Sequence, residues 1–173
     1  MADEHLQWLI DRLAEFKNNR CFVFVHSFID ENWKDGETEE DKIKDSGNPC
    51  NARNNSVFGY WEDYYPAKLA SFTNALKEHP NVVLFHGHSH MKLESQEFSE
   101  IANYSFSNGY HSVHVPSSSD PRTLLSINGN WEADRNGSQG YIVDVYDNYI
   151  VLNGMDFTTE KPVPIGVYKI NTT

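Results

Sequence analysis

Apolar positions fall into three rhythms along this chain. Leu6, Leu9, Ile10, Leu13 and Phe16 recur at helical spacing and predict a helix over residues 4–18 with one apolar stripe. Asp3 is placed to cap it and Asn18-Asn19-Arg20 to end it. The second rhythm is the unbroken run, which occurs as Cys21-Phe22-Val23-Phe24-Val25 and again as Val82-Val83-Leu84-Phe85. Such runs fit strands buried on both faces, as in a parallel sheet. Between them Leu69, Phe72, Thr73 and Leu76 form another helical stripe, with Pro66 suited to the first helical position and Pro80 ending it. Strand, helix, strand is a crossover unit, expected to be right-handed. Beyond residue 90 the third rhythm, alternation broken by turns, predicts strands near residues 97–106, 111–115, 123–127, 140–146, 149–157 and 165–170. Asp147-Asn148 makes a tight hairpin of two of them. The fold class expected is α/β, mixed with α+β character, in a single domain spanning residues 1–173.

Both apolar runs deliver histidine at their carboxyl ends. The first ends on His26, the second on His86-Gly87-His88-Ser89-His90. If the two strands lie in one parallel sheet, those ends share an edge, where such sheets place ligand sites. His26, His88 and His90 then converge, and neutral imidazole is the commonest protein ligand of transition metals. Gly87 is expected to supply the sharp turn. His86 has two readings, a further ligand or a strand-end residue packed against the turn. His111 and His114 alternate along a later strand and are expected on its surface.

The connection from His26 to the second helix is long and irregular. Its acidic stretch, Asp35 to Asp45, reads as a solvated surface. Its aromatics, Phe58, Tyr60, Trp61, Tyr64 and Tyr65, either line a substrate pocket or anchor the loop. A loop this long that starts at His26 is expected to lie over the site.

Composition narrows the chemistry. Hydrophobic content of 39% marks a folded chain. A net charge of −11 argues against non-specific nucleic-acid binding and against an anionic membrane surface. It leaves a phosphorylated substrate open, because a metal site supplies local positive charge. No signal-like apolar segment opens the sequence and no apolar run approaches membrane-spanning length, so a cytoplasmic chain is the default expectation. Cys21 reads as a small buried hydrophobe and Cys50 lies in a polar loop. Two cysteines this far apart are no zinc pattern.

The strand closing on His, Val23-Phe24-Val25-His26, followed by a strand closing on Gly87-His88-Ser89-His90, resembles the calcineurin-like metallophosphoesterase family. The tail segments Gly140-Tyr141-Ile142-Val143-Asp144-Val145 and Tyr149-Ile150-Val151-Leu152 look like the C-terminal part of its bacterial members. The resemblance implies a four-layer αββα sandwich, of which this chain would form the strand-rich C-terminal half. It implies hydrolysis of a phosphate ester by a metal-activated water at a dinuclear site. His26 and His88 would bind one metal and His90 the other, the metals being manganese, iron or zinc.

The departures are as informative. The family's G-D-x-x-D and G-N-H-D/E motifs are absent from this chain, and its D-x-H at the end of an apolar strand is missing too, the bare triplet Asp3-Glu4-His5 standing instead at the start of the expected helix. With them go the bridging carboxylate and the histidine that protonates the leaving group, so no catalytic residue is assigned here. Three neutral imidazoles can hold one Zn²⁺ with an open position. They do not offset the repulsion of two dications about 4 Å apart. An incomplete dinuclear site, inactive alone, is the expectation. The absent half would also uncover a strand edge and an apolar face, favouring a homo-oligomer or a partner chain carrying that half. Three readings follow: part of a phosphoesterase, a non-catalytic remnant or self-associating binding module with a vestigial or single-metal site, and a mononuclear zinc hydrolase. The last needs a general base beside the histidines, and none stands out.

Overall fold

The structure, a computed structural model, describes residues 3–26, 65–87, 89–98, 103–106, 109–125 and 131–172. The acidic stretch, the loop aromatics up to Tyr64, Cys50 and His88 lie outside the described residues.

Helix α1 spans Asp3–Glu15 and strand β1 Cys21–Val25. Helix α2 spans Tyr65–Lys77 and leads into β2, Val82–His86. A 3-10 helix, Leu93–Phe98, follows, then β3 Tyr104–Ser105 and β4 His111–His114. Strands β5 (Arg122–Leu124) and β6 (Trp131–Ala133) form a small hairpin. Strands β7 (Gln139–Val145), β8 (Tyr149–Asp156) and β9 (Lys161–Asn171) form a three-stranded antiparallel sheet. The first sheet has the order β1-β2-β4-β3. β1, β2 and β4 run parallel and β3 antiparallel. The mixed α/β class and the parallel pairing of the two apolar runs are therefore as the sequence predicts.

β2 shows why an unbroken apolar run is needed. Val82 and Leu84 face the helices, packing with Leu6 and Leu13 of α1, Phe72 and Leu76 of α2, and Val23 of β1. Val83 and Phe85 face the other way, onto Val113, Ile150, Leu152 and Ile170. Helix, sheet, sheet are thus stacked in that order, with β2 the central strand of both cores. Each fully buried aliphatic side chain there contributes about 1.5–3 kcal/mol. Arg20 ties the corner between the layers, donating to the Thr172 hydroxyl at 2.5 Å and to the Asp147 carbonyl at 2.8 Å.

Several elements depart from the sequence prediction. α1 stops at Glu15, and Asp3 lies inside its first turn beside Glu4, where carboxylates complement the helix dipole. Phe16, beyond the helix, is exposed; its carbonyl accepts from Asn19 N–H and pairs with the His79 ring at 3.0 Å. Cys21 is half-buried, and that burial raises its thiol pKa. The strand expected from residue 97 begins instead as the end of the 3-10 helix, and among the described residues of that stretch Tyr104–Ser105 is the extended part. β6 carries no alternation long enough to announce it. β9 begins four residues early, through Pro162 and Pro164. Proline cannot donate to a ladder, but among the described residues β9 is an outer strand of its sheet, paired on one side only. His111 and His114 are buried, not surface residues.

β1 is an outer strand of its sheet. Val23 points to the helices, so Phe22 and Phe24 share the face of Phe85. Phe24 stacks on Phe85 at 5.0 Å, yet remains 74% exposed. Among the described residues no helix is long and apolar enough to cross a membrane.

Candidate functional site

The register β1-β2-β4 carries three carboxyl ends to one edge. The pairing extends one step beyond the strands: Gly87 N–H donates to the His26 carbonyl at 3.1 Å, and Val115 N–H to the His86 carbonyl at 2.7 Å. A cleft of about 410 Å³ opens there. His26, His86 and His90 line it, with Gly87, Ser117 and Ser118 around them. Of the three predicted ligands, His26 and His90 therefore meet at one cleft. His88, between them in sequence, lies outside the described residues.

The sharp turn is not where the sequence puts it. Gly87 has an ordinary backbone conformation, and a methyl there would sit 3.4 Å from the Val115 carbonyl oxygen. The left-handed residue is His90, with φ 62°. A side chain in that region carries a cost of roughly 1–2 kcal/mol, borne only where surroundings enforce it. They do so here. Arg122 N–H donates to the His90 carbonyl at 2.7 Å, and Lys92 N–H to the Arg122 carbonyl at 2.8 Å. On the ring, His90 Nδ1 lies 3.2 Å from the Asp120 carbonyl oxygen and 3.4 Å from its carboxylate Oδ2. Arg122 Nη2 reaches the same carboxylate oxygen at 3.3 Å.

His86 is a different case. It is 7% exposed, and its Nε2 is paired with the Ser112 hydroxyl at 3.0 Å. Burial lowers its pKa to about 4. Behind it His114, 1% exposed, is paired through Nε2 with the Ser89 hydroxyl at 2.6 Å. Ser89 Oγ in turn accepts from Met91 N–H at 3.2 Å. Burial, and then the proximity of His86 with ring centroids 5.9 Å apart, lower the His114 pKa to about 3. Of the two readings open for His86, the packed strand-end residue describes these contacts. His111, at the other end of β4, is paired through Nδ1 with the Tyr104 hydroxyl and stands apart from the cleft.

The donor set can be weighed for a metal. No Asp or Glu and no Lys or Arg is among the described residues lining the cleft. Imidazoles suit one zinc, iron or manganese ion by type. Two dications would lack a bridging carboxylate. Among the described residues, no three His, Cys, Asp or Glu side chains are close enough together to hold an ion. A three-ligand site would therefore need a donor from outside the described residues. Asp120 is the residue that sequence reasoning misses. Its only signal is the run Ser117-Ser118-Ser119-Asp120-Pro121, which reads as a turn and gives no hint of reaching back to residue 90.

The elements define a mixed α/β protein with a histidine-lined cleft at the carboxyl ends of parallel strands. Comparison with protein-family models, with curated proteins and with solved structures gave no match to this chain.

Proposed function

We propose that this chain supplies the histidine part of a metal-dependent phosphoesterase centre, with one divalent transition ion held by His26, His88 and His90, and that it does not hydrolyse esters alone. One observation carries the reading. Parallel pairing of β1 with β2 brings His26 and His90, sixty-four positions apart in number, to the same cleft. The helix-sheet-sheet stacking supports the finer architecture, a four-layer αββα sandwich to which these elements contribute three layers. A bound ion would polarise a phosphoryl oxygen and acidify a water. The residues of this chain orient that ion's ligands. The bridging carboxylate and the leaving-group acid are assigned to a further polypeptide segment.

A second reading, a self-associating binding module, is favoured by one feature, the exposed Phe24 on the outer strand β1. The two separate on metal content. Protein incubated with Zn²⁺ or Mn²⁺ and desalted is expected to retain about one ion per chain, and His88→Ala to lose it. Phosphatase activity is expected in neither. Wild-type protein that retains no ion sinks the metal reading, and a dimeric mass by light scattering then favours the module.

A further inference from the structure

Resting on that metal reading, we propose that Asp120 is the positioning residue of His90, holding its Nδ1–H so that Nε2 presents a lone pair to the cleft. Two acceptors of one residue face Nδ1, the Asp120 carbonyl oxygen at 3.2 Å and carboxylate Oδ2 at 3.4 Å. With acceptors on that side, the proton belongs on Nδ1, and Nε2 is the basic nitrogen. The ring is about one-third exposed on the cleft wall.

Asp120 is itself held in place. Its N–H donates to Ser117 Oγ at 3.0 Å, and its Oδ2 accepts from Arg122 Nη2 at 3.3 Å. A carboxylate fixed on one side by a guanidinium and directed on the other at an imidazole is the arrangement that orients metal-binding histidines. A turn-stapling role does not account for it. The backbone pairs Arg122 N–H to His90 O and Lys92 N–H to Arg122 O already bind the two segments together. The side-chain contact adds only the ring's orientation and tautomer. The neighbouring histidines show the opposite design: His86 and His114 spend Nε2 on Ser112 and Ser89 and offer nothing outward through that atom.

The test uses full-length protein with ¹⁵N-labelled histidine. Long-range proton–nitrogen correlation at neutral pH reads the tautomer of each ring, assigned with His90→Gln. Wild type is expected to show His90 as the Nδ1–H form, with Nε2 moving when ZnCl₂ is added. Asp120→Ala is expected to mix the tautomers and weaken zinc binding about tenfold, the low end for such partners because the backbone carbonyl remains. Asp120→Asn keeps an acceptor oxygen and is expected to restore the tautomer. A wild-type His90 in the Nε2–H form overturns the proposal, and needs no variant to be seen. So does an Asp120→Ala protein with wild-type tautomer and wild-type zinc affinity. If zinc leaves Nε2 unmoved while the tautomer still responds to Asp120→Ala, the positioning role stands and the metal reading fails.

Discussion

At the carboxyl ends of β1, β2 and β4 the inner histidines, His86 and His114, are buried, His86 while still lining the cleft, whereas the outer ones, His26 and His90, line it with more of their surface open to water. Two of them, His26 and His86, directly follow apolar strand runs, while His90 stands in the turn beyond β2 and His114 ends the mixed strand β4. Their surroundings divide them. The inner rings are paired through Nε2 with serine hydroxyls, and burial lowers their pKa to about 4 and about 3. They act as neutral polar members of a core. His90 has its Nδ1 side committed to Asp120 and its ring partly in solvent. The lesson concerns histidine in general: which nitrogen is occupied, and how dry the ring is, decide between packing and ligation. Strand-end position alone does not.

Acid should separate the pairs most strongly. In the unfolded chain each inner histidine titrates near 6.5, and in the fold near 4 and 3. Between pH 6.5 and 4 the unfolded chain therefore binds more protons. Stability is full above that window and falls as pH drops through it. Each ring contributes up to about 1.4 kcal/mol per pH unit, so both together cost at most about 5 kcal/mol between pH 6.5 and 4.5. Burial lowers the pKa of His111 as well, with the same sign. The Asp134 carboxyl is also lowered, by its hydrogen bond from Lys92, but acts below its ordinary 3.8 and so outside the window. Urea midpoints measured from pH 7 to 4.5 check this. A flat profile would mean that the inner rings are not held neutral.

Truncation should divide the pairs next. His114→Ala removes a buried ring and leaves the Ser89 hydroxyl without its ring partner. A loss of about 3 kcal/mol is expected from cavity and orphaned hydroxyl together. His26→Ala, at an exposed position, is expected to stay within about 0.5 kcal/mol. Denaturant titrations of the two variants give both numbers, and equal losses would erase the distinction between inner and outer rings.

Much of this edge can be read before folding is known. The two apolar runs predict β1 and β2; β2 is covered on both faces as such a run suggests, whereas β1 leaves Phe22 and Phe24 exposed. Histidine at both ends then predicts a shared edge. What is not legible depends on contacts between remote segments. The burial of His114 follows from packing behind β2, while its own neighbours, Val113 and Val115, look the same in a half-exposed strand. The clamp of residues 120–122 on residues 90–92 joins two turns with no periodicity. β9 is obscured by its prolines, and the turn chemistry by Gly87, a glycine in an ordinary conformation beside a histidine in a left-handed one.

That left-handed histidine gives the smallest but most selective test. His90→Gly and His90→Ala both delete the imidazole and its contacts to Asp120, so both are expected to lose the ion. They differ only by a methyl at a backbone with φ 62°. Alanine carries the steric cost of that conformation and glycine does not, although glycine orders more backbone on folding. The glycine variant is expected to be the more stable by about 1 kcal/mol, seen as a higher urea midpoint. In wild type that cost is carried with a ring attached, which is how a residue behaves when its side chain is wanted at a place the backbone would rather give to glycine. The same exchange at His86, the last residue of β2, should run the other way, because glycine orders more backbone on folding than alanine and there is no positive φ to relieve. If alanine is the better replacement at both positions, residue 90 carries no strain, and the inner and outer histidines differ in burial alone.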